Sequence, residues 1–361
     1  MIGNQSHSSQ KDLEKANGQG RTLRAENANL RIENDEYKRE LRDAEMRLEA
    51  ESSRVQSLEA TVRECQAVQL KSVESTSWMP HARSDIQHQL ESIQTQIRQW
   101  AKQYSKISFE DFMQSHDLQR LSSRLVVRGC APSEEKLLNA ILDNETMRKP
   151  GRASGLLLGA VISIDILTRI IQNPFFAFEG KEEEDHLLNG AQGSALRGLT
   201  KLIRKSDETG AEGLRCHVLR LLDPASNDKD PRVAIAKKIA SNSRTFVARR
   251  MARDMVVSVP SVLGGVGGHD ALSSLQVIFE EAAELSWSLW TRKARMRIEI
   301  PRNGEFEYHS LHLRELDDDP KFLDGKEEIL LCDATVVMYG DAEGQDFHKR
   351  HVVKKAVLWM G

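Results

Sequence analysis

The stretch that decides the fold is RTLRAENANLRIENDEYKRELRDAEMRLEAESSRVQSLEATVRECQAVQLK, residues 21–71. Its characteristic residues return at alternating steps of four and three, which is the a/d pattern of a left-handed coiled coil. At about 1.5 Å per residue, such a helix would be about 75 Å long. The residues predicted to form the coiled-coil interface are Leu23, Asn27, Leu30, Asn34, Tyr37, Leu41, Leu48, Val55, Leu58 and Val62.

Polar layers within this seam favour a parallel, in-register homodimer. Asn27 and Asn34 both fall at a positions, where an asparagine is best satisfied by its twin across a two-stranded axis. The flanking charges agree, since Glu33 would face Lys38 of the second chain. Glu51 at a d position makes a weak layer. The alternative is a single amphipathic helix that folds back on its own globular domain, although a narrow stripe with charged flanks suits a partner helix better.

The spacing Leu23-x-x-x-Asn27-x-x-Leu30 resembles the zipper of basic-region zipper transcription factors. Those proteins need a dense Arg/Lys helix immediately before the zipper to contact bases and phosphates. Here the preceding residues, MIGNQSHSSQKDLEKANGQG, carry only two lysines, and Gly18 and Gly20 interrupt a helix. The resemblance therefore covers the dimerisation half alone, and direct nucleic-acid binding is not expected.

Bulk composition sets the compartment but not the partner. A formal net charge of −3 provides no global attraction to nucleic acid or to an acidic membrane. The four cysteines, at positions 65, 130, 216 and 332, are too widely spaced for a CxxC or zinc-finger clip, so we interpret them as reduced thiols. No apolar signal core opens the chain. We expect an intracellular protein of the cytoplasm or nucleus, without a membrane partner.

Composition and periodicity divide the chain into five parts. Residues 1–20 are polar and predict a disordered tail, residues 21–71 the parallel coiled coil, and residues 72–83 a hinge. Residues 84–295 predict a helical domain, and residues 296–361, with alternating and β-branched runs, a small β-rich region packed on it. The predicted fold class is mainly α: a long N-terminal coiled-coil helix, then an all-helical globular domain with a small C-terminal antiparallel β-sheet.

Two helices of the globular region matter most to the prediction. Ser84 and Gln87 suggest a capping box that opens a helix over 84–106, whose 4-3 spacing allows it either to resume the dimer seam or to dock on the domain. The segment 153–172 is apolar on most of its circumference and ends at a proline, which predicts a buried core helix rather than a membrane span. Ser108 is expected to cap a further helix that ends near residue 129.

The remaining motifs do not have the residue spacing that a phosphate-binding or metal site would need. The glycine turn 264–268 precedes a helix as phosphate-binding loops do, but Asp270 stands where a dinucleotide fingerprint needs glycine. We interpret the turn as a connector. The pairs His309/His312 and His348/His351, even with Cys332, do not predict zinc, because residues three apart on a strand face opposite sides.

The helix 231–259 is basic and could hold phosphates or an acidic partner, with Arg292, Lys293, Arg295 and Arg297 adding to its charge. It lacks the interleaved aromatic residues that stack on bases, so a solvated face is the favoured interpretation. Its basic residues are Arg232, Lys237, Lys238, Arg244, Arg249, Arg250 and Arg253.

The segments IRQWAKQYS (97–105), NPFF (173–176), LSWSLWTR (285–292) and GDAEG (340–344) resemble uncharacterised coiled-coil proteins of filamentous fungi. The resemblance spans most of the region after residue 71. It implies a fungal intracellular protein and no particular activity.

The favoured functional hypothesis is a non-enzymatic homodimeric interaction or adaptor protein, with a second copy of itself and a further protein as partners. No catalytic, cofactor-binding or metal-ligating residue is predicted. One alternative is a transcription-associated regulator that pairs through its zipper with a DNA-binding partner. Another is an enzyme with its site in a cleft between the helical core and the C-terminal sheet, which a pocket gathering His269, Asp270 and basic residues would favour.

Overall fold

The described part of the chain falls into two units, Met1–Glu74 and Ser75–Gly361. In the second unit the fold is mainly helical, with small sheets near the C-terminus, as predicted. The structure is a computed structural model, and it describes residues 29, 31, 33–59, 83–179, 190–223, 231–263, 268–292, 294–300, 313–315, 330–340 and 346–359. The predicted tail 1–20 and nearly all of the predicted hinge 72–83 lie outside these residues.

In the first unit, a helix (α1) runs through residues 33–59, and every one of its side chains is exposed. It carries the predicted seam residues from Asn34 to Leu58. Leu23, Asn27, Leu30 and Val62 lie outside the described residues. The helix is thus present over 27 residues, while its pairing as a coiled coil stays a prediction.

The prediction of a buried core helix over 153–172 is confirmed. Helix α6 (Arg152–Asp165) continues directly as a π-helix (Ile166–Ile171). By length and composition Arg152–Ile171 could cross a membrane, but 78% of its most apolar window is buried inside the protein. The helix ends before Asn173-Pro174, since a proline disfavours helical geometry in the residue that precedes it.

Helix α2 (Arg83–Tyr104) is part of the second unit and packs on the other helices of that unit. This resolves the two alternatives left by its 4-3 spacing. It packs against α6 and against a later helix, α10 (Gly268–Trp290), to which Trp100 Nε1 donates a 2.9 Å hydrogen bond at the carbonyl of Ala271. The predicted capping box is wrong, because Ser84 lies within the helix and donates to Asp85 instead. The residues of α2 buried in this interface include Ile86, Leu90, Ile93, Ile97 and Trp100.

Three short helices follow, and each begins at a serine that caps it. The Ser108 hydroxyl accepts from the Asp111 amide at 3.0 Å, as predicted. The predicted single helix up to residue 129 is wrong, because Ser115 caps a second helix by accepting from the Leu118 amide. The three helices are α3 (Phe109–Met113), α4 (His116–Val127) and α5 (Glu134–Asp143).

The close approach of α2 and α6 depends on a glycine at the start of α6. Gly151 has a φ of 72°, and a Cβ placed there would lie 2.0 Å from the carbonyl oxygen of Ser105. Beside it, the hydroxyl of Ser105 donates to that of Ser154 at 2.5 Å. A side chain at position 151 would therefore be strained twice, by the backbone angle and by the collision.

Of the remaining helices, α10 packs against the π-helical end of the core. Helices α7 and α8 pack against each other, and so do α9 and α10. A 3-10 turn (Phe176–Phe178) lies between α7 and α9 and contacts both. The bounds are α7 (Gly190–Arg204), α8 (Glu208–Leu222) and α9 (Pro231–Ser258).

Six described strands form two three-stranded sheets. The first has the order β1-β4-β5 and is antiparallel. In the second, β2-β6-β3, the β3-β6 pair is antiparallel and the β2-β6 pair is parallel, which the sequence did not predict. The strands are β1 (Arg295–Glu299), β2 (Leu313–Glu315), β3 (Leu330–Asp333), β4 (Thr335–Tyr339), β5 (Arg350–Lys354) and β6 (Ala356–Trp359).

A buried ion pair connects this β region to the core helix. Lys354 of β5 and Asp333 of β3 pair through their side chains, which are 4% and 0% exposed. The hydroxyl of Ser163 on α6 donates to the other oxygen of the same carboxylate at 2.9 Å. One carboxylate thus joins both sheets to α6.

Candidate functional site

A cleft of about 690 Å³ lies where the π-helical end of the core, α7 and β1 meet. Most of the charge that it presents is positive. Of its described lining residues, seven are basic and one, Glu179, is acidic. The seven are Arg128, Arg169, Arg197, Lys201, Arg204, Arg295 and Arg297.

Local periodicity places these side chains on common faces. Arg197, Lys201 and Arg204 are spaced four and three apart on α7, so they lie along one side of that helix. Arg295 and Arg297 are two apart on β1, and alternate residues of a strand share a face. The sequence of each element therefore builds one basic wall, and the tertiary fold brings the walls together.

Carboxylates hold three of the arginines in position. Arg197 pairs with Glu179, which also accepts a 2.7 Å hydrogen bond from the Asn173 amide. Arg204 pairs with Glu212, and Arg295 pairs with Glu208. A guanidinium has five N–H donors and one carboxylate engages at most two of them, so each arginine keeps donors for other acceptors.

The carboxylate Glu212 is itself held by a fully buried arginine. Arg215 donates to Glu212 at 2.7 Å and to the carbonyl of Arg292 at 2.8 Å, and its guanidinium lies 4.8 Å from the centre of the Trp290 ring. It joins α8 to the end of α10. We interpret Arg215 as a structural support for the basic wall.

Three of the cleft's basic residues have no such partner. In the described ranges, no carboxylate lies within ion-pair distance of Arg169, Lys201 or Arg297. They come from the π-helix, α7 and β1 in turn, and Arg169 is half-buried. The positive charges of these three residues are therefore the least compensated ones in the cleft, and each comes from a different element.

An acidic group lies beneath one end of the cleft. Asp165 is nearly fully buried, pairs with Arg124, and lies 3.6 Å from Arg128. Burial raises the pKa of Asp165 above its usual range, and the positive charges of Arg124, Arg169 and Arg128 oppose that rise. Its carboxylate faces the arginines of α4.

Two arginines of α9, the basic helix singled out in the sequence, pair with acidic side chains of α10. Arg244 is buried, lies over the Trp287 ring, and pairs with Glu284 at 3.0 Å. Arg249 pairs with Glu280, another residue of α10. Of the residues expected to add to the charge of α9, Arg295 and Arg297 line the cleft, whose described lining includes no residue of that helix.

The structure describes only part of the other weak motifs. Residues 264–267 of the glycine turn, and His309 with His312, lie outside the described residues. His269 and Asp270 are exposed in the first turn of α10 and do not line the cleft. Among the described residues, no group of three or more His, Cys, Asp or Glu side chains could hold a metal ion.

The second candidate surface is the apolar stripe of α1. Five large apolar side chains at a and d positions are between 52% and 74% exposed. Lys38 with Asp35, and Arg54 with Glu51, form only exposed pairs within the helix, at 3.6 and 3.8 Å. The five residues are Tyr37, Leu41, Leu48, Val55 and Leu58.

The cleft has the chemistry of binding. Guanidinium and ammonium groups donate hydrogen bonds and attract anions, but arginine does not lose its proton at neutral pH. No histidine or cysteine is among the described residues that line it. It lies between the helical core and the C-terminal sheet, where the enzyme hypothesis placed a site, yet it gathers neither His269 nor Asp270. Comparisons with protein-family models, curated proteins and solved structures found no match to the chain.

Proposed function

We propose that this protein is a non-enzymatic, homodimeric interaction protein that assembles through a parallel coiled coil of residues 21–71. Two copies of the folded region would then act together on a protein partner in the cytoplasm or nucleus. The observation that carries the proposal is the exposed apolar stripe of α1, which extends from Tyr37 to Leu58 and is interrupted at Glu51.

Burial of that stripe provides the driving force. A fully buried leucine contributes about 1.5–3 kcal/mol relative to an exposed one. The stripe is narrow and flanked by charge, so a second helix covers it better than a broad surface would. The stripe therefore favours a dimer over an isolated helix.

The polar residues of α1 favour a second copy of this chain as the occupant. In a parallel, in-register pair Asn34 meets its twin, Glu33 meets Lys38, and Arg54 meets Glu59. The pairs that Lys38 and Arg54 form within the helix are exposed, and such pairs contribute about 0–1 kcal/mol, so they can be exchanged. The facing of Glu40 by Glu45 opposes assembly by a similar small amount.

Charge placed in the seam tests the proposal. The variant Leu41→Glu/Leu48→Glu removes four buried leucines per dimer, a loss of at least about 6 kcal/mol, or roughly four powers of ten in dissociation constant. The matched control, Met46→Glu/Ser53→Glu, adds the same charge at exposed positions on the opposite face. Light scattering after size-exclusion chromatography measures the mass.

We expect wild type and control to have twice the 40.8 kDa chain mass and the seam variant to have the single mass. A seam variant that stays dimeric would contradict the proposed interface. A wild-type protein that is monomeric under the same conditions would contradict the proposal as a whole.

A further inference from the structure

We propose that the cleft between the π-helix, α7 and β1 is a binding site for a compact small molecule that carries several phosphate groups. The proposal concerns a different unit from the coiled coil and does not depend on it. It rests on the charge, the geometry and the size of the cleft.

Charge is the first argument. Seven basic side chains against one acidic side chain give the described lining a net charge of +6, in a chain whose total is −3. Like charges held together repel one another, and concave walls of one sign concentrate ions of the opposite sign. A multivalent anion would offset this repulsion.

Geometry is the second argument. Arg169, Lys201 and Arg297 come from three different elements and form no ion pair with a carboxylate of the described residues. Arg197 and Arg204 are oriented beforehand by Glu179 and Glu212. Guanidinium groups match phosphate oxygens with pairs of parallel hydrogen bonds, and orienting them in advance reduces the entropy lost on binding.

Size and shape are the third argument, and they favour a small molecule over a nucleic acid. A cavity of about 690 Å³ is within the range of pockets that enclose small ligands. The aromatic residues that line it, Trp290 and Phe175, are 3% and 1% exposed, so their rings offer little surface on which bases could stack. The groups that the cleft does expose are those that bind phosphate.

Three probes represent different kinds of small molecule that carry several phosphate groups: inositol hexakisphosphate, adenosine triphosphate and inorganic tripolyphosphate. Each is titrated into the full-length protein by isothermal calorimetry, with citrate as a carboxylate anion for comparison. We expect one site per chain for at least one of the phosphate probes, binding at least tenfold more tightly than citrate. The affinity should fall as salt concentration rises, since the contacts are charged.

The variant Arg169→Gln/Lys201→Gln tests the cleft directly. It removes two charges that pair with no described carboxylate, so the fold should survive, and a thermal melt checks this. A charge-assisted hydrogen bond contributes about tenfold in affinity or more, so the dissociation constant should rise roughly 100-fold. The matched control, Lys102→Gln/Arg253→Gln, removes two exposed charges away from the cleft. It should change the dissociation constant less than about twofold.

Several results would overturn the proposal. They are no binding of any phosphate probe at millimolar concentration, equal binding of citrate, or equal losses in the cleft and control variants. Tighter binding of a single-stranded oligonucleotide than of every small phosphate, lost in the cleft variant, would also contradict it. If the cleft variant melts early, Arg297→Gln, at an exposed position of β1, replaces it. If the Leu41→Glu/Leu48→Glu variant still binds the phosphate probe, binding at the cleft does not require the dimer.

Discussion

The buried pair of Lys354 with Asp333 gives the sharpest prediction of stability. Both side chains are almost fully excluded from solvent, and Ser163 donates the second described hydrogen bond to the carboxylate. The variant Lys354→Met keeps most of the length of the side chain and removes its ammonium group. It leaves a buried carboxylate without its ammonium partner.

The size of the effect follows from this burial. Removing one partner of a buried ion pair costs about 3–5 kcal/mol, because the remaining charge has lost its solvation without compensation. The bond from Ser163 persists and offsets about 1 kcal/mol of that loss. We therefore expect the free energy of unfolding to fall by about 3 kcal/mol, and the urea midpoint to fall by roughly 1 M.

Urea unfolding followed by tryptophan fluorescence measures the change, since Trp287, Trp290 and Trp359 are buried in the folded protein and become exposed on unfolding. The matched control is Lys355→Met, one residue further along and exposed. The double variant Asp333→Leu/Lys354→Met removes both charges and should recover most of the loss. Equal midpoints for Lys354→Met and Lys355→Met would refute the reasoning, because they would mean that the pair contributes nothing.

Three further predictions concern a thiol, a glycine and a carboxylate. Burial raises the pKa of Cys130 from 9.0 to about 12, so its thiolate fraction falls about a thousandfold. In a Cys65→Ser variant the three remaining thiols are all buried, and they should react with a thiol reagent only on unfolding. Gly151→Ala should lower the melting temperature by several degrees, because the new Cβ would collide with the carbonyl oxygen of Ser105. An unchanged melting temperature would contradict this close packing. Burial raises the pKa of Glu299, but its hydrogen bonds from β4 and β5 outweigh this and hold the pKa below its usual range. Glu299→Gln should therefore lower the free energy of unfolding by less than about 1 kcal/mol near pH 7, and the difference from wild type should vanish as pH falls through that lowered pKa. A difference that persisted in acid would contradict that sign.

The sequence predicted the core helix and the cap at Ser108 because local signals determine them. Residues 153–172 are apolar around the helix and end at a proline, and Ser108 has the hydroxyl that a helix start needs. The role of α2 could not be read in the same way. A 4-3 apolar stripe satisfies a coiled-coil partner and a globular core equally, and only the packing against α6 and α10 distinguishes them.

The basic cleft was missed because its residues come from positions 128 to 297 and meet only in the folded chain. Part of the signal was nevertheless local: Arg197, Lys201 and Arg204 share one face of α7. Charge density on α9 was misleading for the opposite reason. Arg244 and Arg249 pair with Glu284 and Glu280 of α10, which no local pattern relates to them.

Sedimentation equilibrium of the full-length protein tests the central claim most directly. Over low to tens of micromolar concentration, the account predicts a mass approaching twice 40.8 kDa, which returns to 40.8 kDa when charge is placed at Leu41 and Leu48. A wild-type mass of 40.8 kDa at every concentration would contradict it, because the exposed stripe of α1 would then have no second copy to cover it.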